Sequence, residues 1–162
     1  MSTAPATKPS ETTMRLQERW GKALIAAGFT ALPDVIFLNQ KALKLKPLDV
    51  VILLHLASYW RDGGSNPWPA KGTLAAAIDV DVSTVRRSIK KMEGLGYVKR
   101  IIRKTTFGDN NSNEYDLRGL IAATEHLAKE RLELRERRAA EEKAKRETPA
   151  TFSLIKGGKA KP

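Results

Sequence analysis

Along the chain, Leu16, Trp20 and Leu24, with Ala23 and Ala27 beside them, fall on one stripe with steps of three and four. This predicts an amphipathic helix through RLQERWGKALIAAGF that ends near Gly28. The VIFLNQ that follows reads equally as a short extended link or a short helix. KPLDVVILLHLASYW is denser in apolar residues. Pro47 suits a first helical turn, and Leu48, Val51, Ile52, Leu54, Leu56 and Tyr59 are too apolar for the surface, so a central buried helix is expected. Gly63, Gly64, Pro67 and Pro69 then interrupt the pattern in RDGGSNPWP.

Two helices follow, AKGTLAAAI and VSTVRRSIKKMEGL, separated only by DVD, and the second ends at Gly96. YVKRIIRK and NEYDL are rich in β-formers and flank TTFGDNNS, whose residues favour a hairpin turn. Helix, helix, tight turn, helix, hairpin is the order of a winged helix-turn-helix. The expected fold class is therefore mainly α with a small β-hairpin: a winged helix-turn-helix with an extra N-terminal helix and a long charged C-terminal helix. From Arg118 to about Glu147 nothing breaks the helical pattern, and nine Lys/Arg stand against seven Glu. Leu120, Leu127 and Leu134 recur at seven, but Thr124 and Arg131 occupy the companion positions, leaving half a coiled-coil seam. The expected divisions are a disordered arm (1–13), the winged domain (14–118), the charged helix (119–147) and a disordered basic tail (148–162) with the small apolar handle FSLI.

The two-helix pattern carries a specific internal logic. Ala75 suits the small position where the helices cross, Leu74 and Ile78 face the core, Val80 fills the turn, and Val85 and Ile89 anchor the second helix at i and i+4. Asp79 stands where a turn glycine is usual, and Asp enters the left-handed region more readily than most residues. With Val85 and Ile89 inward, Ser83, Thr84, Arg86, Arg87, Lys90 and Lys91 lie on the remaining faces.

Charge now changes the picture. Apolar residues at 41% and charged residues at 29% are ordinary for a soluble protein, but 29 Lys+Arg against 18 Asp+Glu leaves +11. The window 83–104 holds eight Lys/Arg against the single Glu93, so +7 of that excess is concentrated in it. A merely solvated helix interleaves its signs, as the segment after Arg118 does. Arg86 and Arg87 are expected to read bases, because the guanidinium fork pairs with guanine O6 and N7 together. Lys71, Thr73, Lys90, Lys91, Arg100, Arg103 and Lys104 are expected on phosphates. Lys71, Gly72 and Thr73 also open a helix whose free N–H groups favour an anion. Asn110 and Asn111 at the hairpin tip offer uncharged donors, with Asp109 opposing.

From PWPAKGTLAAAIDVDVSTVRRSIKKMEGLGYVKRIIRK into SNEYDL, the sequence resembles the winged helix-turn-helix proteins that bacterial plasmids, phages and integrative elements carry as regulators or replication proteins. The lead-in from Gly28 to Trp60 is similar as well, so the resemblance spans about two-thirds of the chain, Trp20 to Leu127. Asp79 and Asp81 replace the usual Gly-x-Ser of the turn, with Asp81 able to cap the recognition helix. The resemblance implies double-stranded DNA binding without catalysis. It points to a transcriptional regulator of a mobile element or, as the alternative, a plasmid replication-initiation or partition protein.

Other chemistry is excluded or outweighed. No cysteine is present, which rules out a disulfide framework, a thiolate metal site and a cysteine nucleophile. His55 and His126 are far apart, Asp79/Asp81 and Glu114/Asp116 are explained by turns and a strand edge, and KGGKAK lacks the setting of a P-loop. No metal or cofactor is expected. Trp20 and Trp60 are expected in the core, with Trp68 packing over the entry to the motif. No signal sequence or bilayer-spanning run is evident, so a cytoplasmic protein associated with nucleoid or plasmid is expected. The expected partners are duplex DNA, a second copy, and a protein contacting the helix and tail from 118 to 155.

Overall fold

The computed structural model describes residues 10–60, 64–103 and 113–147. Lys104, expected on phosphate, and Asn110 and Asn111, expected at the tip of the wing, lie outside them, as do most of the N-terminal arm and the tail from 148. The elements are α1 (Glu11–Trp20), α2 (Lys22–Ala27), α3 (Asp34–Leu38), α4 (Pro47–Ser58), α5 (Lys71–Ile78), α6 (Val82–Gly94), β1 (Lys99–Ile101), β2 (Glu114–Asp116) and α7 (Arg118–Glu147). The chain forms two compact units, one through Thr124 and one from Glu125.

The expected single N-terminal helix is two. Ser10 caps α1, its hydroxyl accepting the N–H of Thr13, so helix begins inside the stretch expected to be a disordered arm. Gly21, at φ 86°, ends α1 and starts α2. Neither helix buries a residue, and Trp20, expected in the core, is 63% exposed. VIFLNQ resolves as α3 and a following turn in which Lys44 takes a left-handed φ of 54°.

Helix α4 is central, as its density of apolar residues predicted. Its buried face is Asp49, Ile52, Leu53 and Leu56, whereas Val51, Leu54 and Tyr59 are exposed. An apolar run without polar spacing carries no phase, so sequence alone could not say which side of the helix faces inward. Against it pack Leu74 and Ala75 of α5 and Val85, Ile89 and Met92 of α6. The turn between α5 and α6 is made as expected: Asp79 is left-handed (φ 58°, ψ 52°), and the Val80 N–H reaches the Ala75 carbonyl. Asp81 holds the N-cap position of α6, but its side chain makes no capping bond, correcting the expectation that it would.

The wing is an antiparallel pair, with Arg100 opposite Tyr115 and Ile101 opposite Glu114. The Pro67 carbonyl accepts the Tyr115 N–H at 2.9 Å, which extends the pairing to the segment before α5. The winged unit does not stop at Arg118, the expected boundary, but runs to Thr124. Leu120 and Thr124 are buried, so the first two turns of α7 belong to it. The Thr124 hydroxyl donates to the Leu120 carbonyl, satisfying itself within the helix.

Helix α7 starts at a backbone-to-backbone contact. The turn after α6 carries Gly96 at φ 76°, and a Cβ on Gly119 would sit 1.9 Å from the Gly96 carbonyl oxygen. The next N–H, that of Leu120, donates to the Tyr97 carbonyl at 3.0 Å. Asp116 accepts the Arg118 N–H and grips its guanidinium, completing the cap. From residue 129 to residue 146 the helix is exposed, with a Lys129–Glu125 pair at 2.9 Å one turn apart.

Gly119→Ala is therefore expected to destabilise the protein by about 2–4 kcal/mol, since the obstacle is main chain that cannot swing aside. Gly94→Ala, which meets open space, is expected to stay within about 1 kcal/mol of the parent. Urea denaturation of the two variants checks both.

Candidate nucleic-acid interface

Val85, Ser88, Ile89 and Met92 form the buried stripe of α6. At about 100° per residue, Ser83, Arg87, Lys90 and Gly94 lie opposite that stripe, Arg86 and Glu93 on one flank, and Thr84 and Lys91 on the other. The contacts of each flank agree. Arg86, Lys90 and Glu93 line a depression with Ile89, Lys71 of α5 and Arg100 of β1. Lys91 turns to α4.

That contact to α4 fixes the whole face. Asp49, 3% exposed, accepts the Lys46 N–H at 2.7 Å as a helix cap, the Ser88 hydroxyl at 2.5 Å and the Lys91 ammonium at 2.6 Å. Burial raises the proton affinity of its carboxyl. The three bonds, with the charge of Lys91, outweigh that and leave the pKa below the ordinary carboxylate value. Lys91 was expected on phosphate. Its ammonium instead belongs to the packing of α6 on α4.

The other expected residues divide in the same way. Arg87 is exposed and donates to the Thr84 hydroxyl at 3.0 Å, a bond that steadies its guanidinium along the helix. Ser83 and Lys90 are exposed beside it, and Thr73 is exposed on the first turn of α5. Arg86 is exposed but directed to the flank, next to Lys71, rather than sharing the outermost line with Arg87. Arg100 pairs with Glu93 at 3.3 Å, and Arg103 with Glu114 at 3.4 Å while lying 5.4 Å from the Trp68 ring centre. The pKa of Lys71 is lowered, first by partial burial and then by the like charges of Arg100 and Arg86, against a smaller pull from Glu93.

Sequence reasoning missed two participants. Asp49 was visible as an acid three residues into a helix beginning Lys-Pro, the position of a capping box. Ser88 was visible as a polar residue on the Val85–Ile89–Met92 stripe. Trp68, expected to pack over the entry to the motif, is 55% exposed between the buried Pro67 and Pro69, with the Arg103 guanidinium over its ring. Among the described residues no cluster of His, Cys, Asp or Glu has the makings of a metal site, and no helix is long and apolar enough to cross a membrane.

The architecture defines a class: a winged helix-turn-helix domain, in which the second helix of the motif is the one built to enter a major groove. Independently, residues 43–98 match a family model described as a helix-turn-helix domain. No curated protein matches the sequence. Among solved structures, the chain is similar to the N-terminal domain of the DnaD protein of Geobacillus kaustophilus HTA426. The identity is 21%, covering 70% of this chain and 93% of that one, with a TM-score of 0.50. It is similar also to a protein of Methanosarcina mazei Go1 described as a possible transcriptional regulator, with 25% identity, 64% and 85% coverage and a TM-score of 0.41. The likeness to the DnaD domain is one of fold.

Removing the Asp49 carboxylate leaves Ser88 and the Lys46 N–H without their acceptor, and Asp49→Ala is expected to cost about 2–4 kcal/mol. Because the folded pKa is depressed, this contribution is full above the unfolded value near 3.9 and is lost as pH falls through the lower folded value. Acid titration of stability should accordingly be shallower below about pH 4 in Asp49→Asn than in the parent. Chemical denaturation across pH 2–6 measures it.

Proposed function

We propose that the protein binds double-stranded DNA sequence-specifically, with α6 in the major groove, and that it acts as a transcriptional regulator without catalysis of its own. The observation that carries this reading is the phase of α6: its apolar stripe is fully buried, and its outward line of Ser83, Arg87 and Lys90 carries only groups that pair with base edges or phosphates. Arg87 is the proposed base reader, pre-set by Thr84, with Thr73 and Lys90 as backbone contacts. The plasmid, phage or integrative-element setting rests on the sequence resemblance alone and belongs to this proposal.

Two copies are proposed to act together, since one recognition helix reads too few base pairs to find a single site in a genome. The exposed Met14, Trp20, Leu24 and Phe29 of the N-terminal region supply the apolar surface for that association. Sedimentation of the full chain at micromolar concentration should give a dimer, and Trp20→Ala with Leu24→Ala a monomer. A monomeric parent both on and off DNA overturns the pairing.

Genome- and plasmid-wide mapping of bound sites tests the function itself, promoter overlap supporting regulation and origin repeats supporting a replication or partition role instead. On the recovered site, Arg87→Ala is expected to lose about 1–3 kcal/mol and to relax preference at one base pair, read by fluorescence anisotropy with matched and mismatched duplexes. Full retention of affinity and preference would remove Arg87 from the reading role.

A further inference from the structure

The depression between α5, α6 and β1 gathers charge from three elements. Lys71 comes from the first residue of α5, Arg86 and Lys90 from adjoining turns of α6, and Arg100 from the first strand of the wing. Ile89, buried in the core, forms part of its wall. It measures about 290 Å³, ample room for a phosphate group. Four cations face one acid, Glu93, which is partly buried and pairs with Arg100 at 3.3 Å. Among the described residues no ion pair engages Lys71, Arg86 or Lys90, and the pKa of Lys71 is lowered first by its partial burial and then by the like charges of Arg100 and Arg86.

An unbalanced cluster of this kind is costly in the free protein and favours an anion from outside. Its position decides which anion. The depression adjoins the outward line of α6 through Lys90, which belongs to both, and a duplex whose major groove received α6 would bring a strand against it. We propose that Lys71, Arg86, Lys90 and Arg100 form a seat for one phosphodiester of duplex DNA, and that Glu93 is its resident counter-ion, giving up Arg100 when the phosphate enters.

This rests on the DNA-binding reading above and adds two assignments to it. Arg86 holds backbone rather than reading a base. Glu93 weakens binding to every sequence alike, because each phosphate that enters must compete with a carboxylate already in contact. Such an acid lowers occupancy of random DNA, where backbone contacts supply nearly all the affinity. At a cognate site the base contacts of α6 add to the same backbone term.

The test uses the full chain, fluorescein-labelled duplexes of random and cognate sequence, and anisotropy titrations from 50 to 300 mM NaCl. Arg86→Gln and Lys71→Gln are expected to weaken random and cognate duplexes by the same factor, about 3–10-fold, and to reduce the slope of log affinity against log salt by about one. Glu93→Gln is expected to tighten both several-fold, and the gain to vanish in Glu93→Gln/Arg100→Gln. Thermal melts of each variant confirm the fold.

A Glu93→Gln protein that binds duplexes no more tightly than the parent overturns the counter-ion, as does a gain that persists without Arg100. Arg86→Gln that changes base preference while keeping the parent salt slope overturns the seat. Either result leaves DNA binding standing. A parent that binds no duplex at any salt concentration sinks the underlying reading instead.

Discussion

The outward face of this protein depends on one buried carboxylate. Asp49 caps α4 through the Lys46 N–H and holds α6 through Ser88 and Lys91. Apolar packing of Val85, Ile89 and Met92 determines that α6 lies on α4, but close-packed alkyl groups tolerate small rotations that directed bonds do not. Ser88 and Lys91 are three residues apart on α6, close to one helical turn, so a bond to each from one carboxylate resists both roll and slide of the helix. The angle at which Ser83, Arg87 and Lys90 meet solvent follows from that. Removing water from a carboxylate is unfavourable, and here three donors offset the penalty.

A second constraint sets where the unit ends. Gly96 and Gly119 approach so closely that neither the turn after α6 nor the start of α7 has space for a side chain at Gly119. Because Gly96 lies three residues before β1, the contact fixes the exit of the chain from α6 and, with it, the base of the wing. The Leu120–Tyr97 and Arg118–Asp116 bonds close the same junction from the other side. The hairpin is thus pinned at its open end by α7, beside the strand residue Arg100 that lines the basic depression.

How far the sequence disclosed this varies with the kind of signal. The α5–turn–α6 motif was legible because Ala75, Val85 and Ile89 are spaced by geometry that few other arrangements share, and Asp79 by its tolerance of the left-handed region. The hairpin was legible from its β-formers on either side of turn residues. The rotation of α4 was not, since VVILLHL is apolar on every side and burial selected Leu53 over Val51 and Leu54. The exposure of Trp20 was equally hidden, because a periodic apolar stripe records that a helix has a face to cover without recording what covers it. Gly119 looked like an ordinary residue in a charged helix, for its constraint is set by a carbonyl 23 positions earlier in the chain.

Net charge behaves in the same way. The eight cations between Ser83 and Lys104 read as one basic surface, yet the folded chain separates several of the described ones by partner. Lys91 is tied to Asp49, Arg100 to Glu93 and Arg103 to Glu114. Each of these pairs joins different elements: α6 to α4, β1 to α6, and the chain just past β1 to β2. Arg86, Arg87 and Lys90 remain exposed on a single helix, Arg86 on its flank beside Lys71. The acids responsible are spread from position 49 to position 114, so counting within the basic window finds only Glu93. A cation held by a buried acid such as Asp49 fixes the angle of the helix, whereas one held by a half-exposed acid such as Glu93 is available for exchange with a stronger anion. The same residue type therefore serves the fold in one place and the ligand in another, and the burial of its partner distinguishes the two.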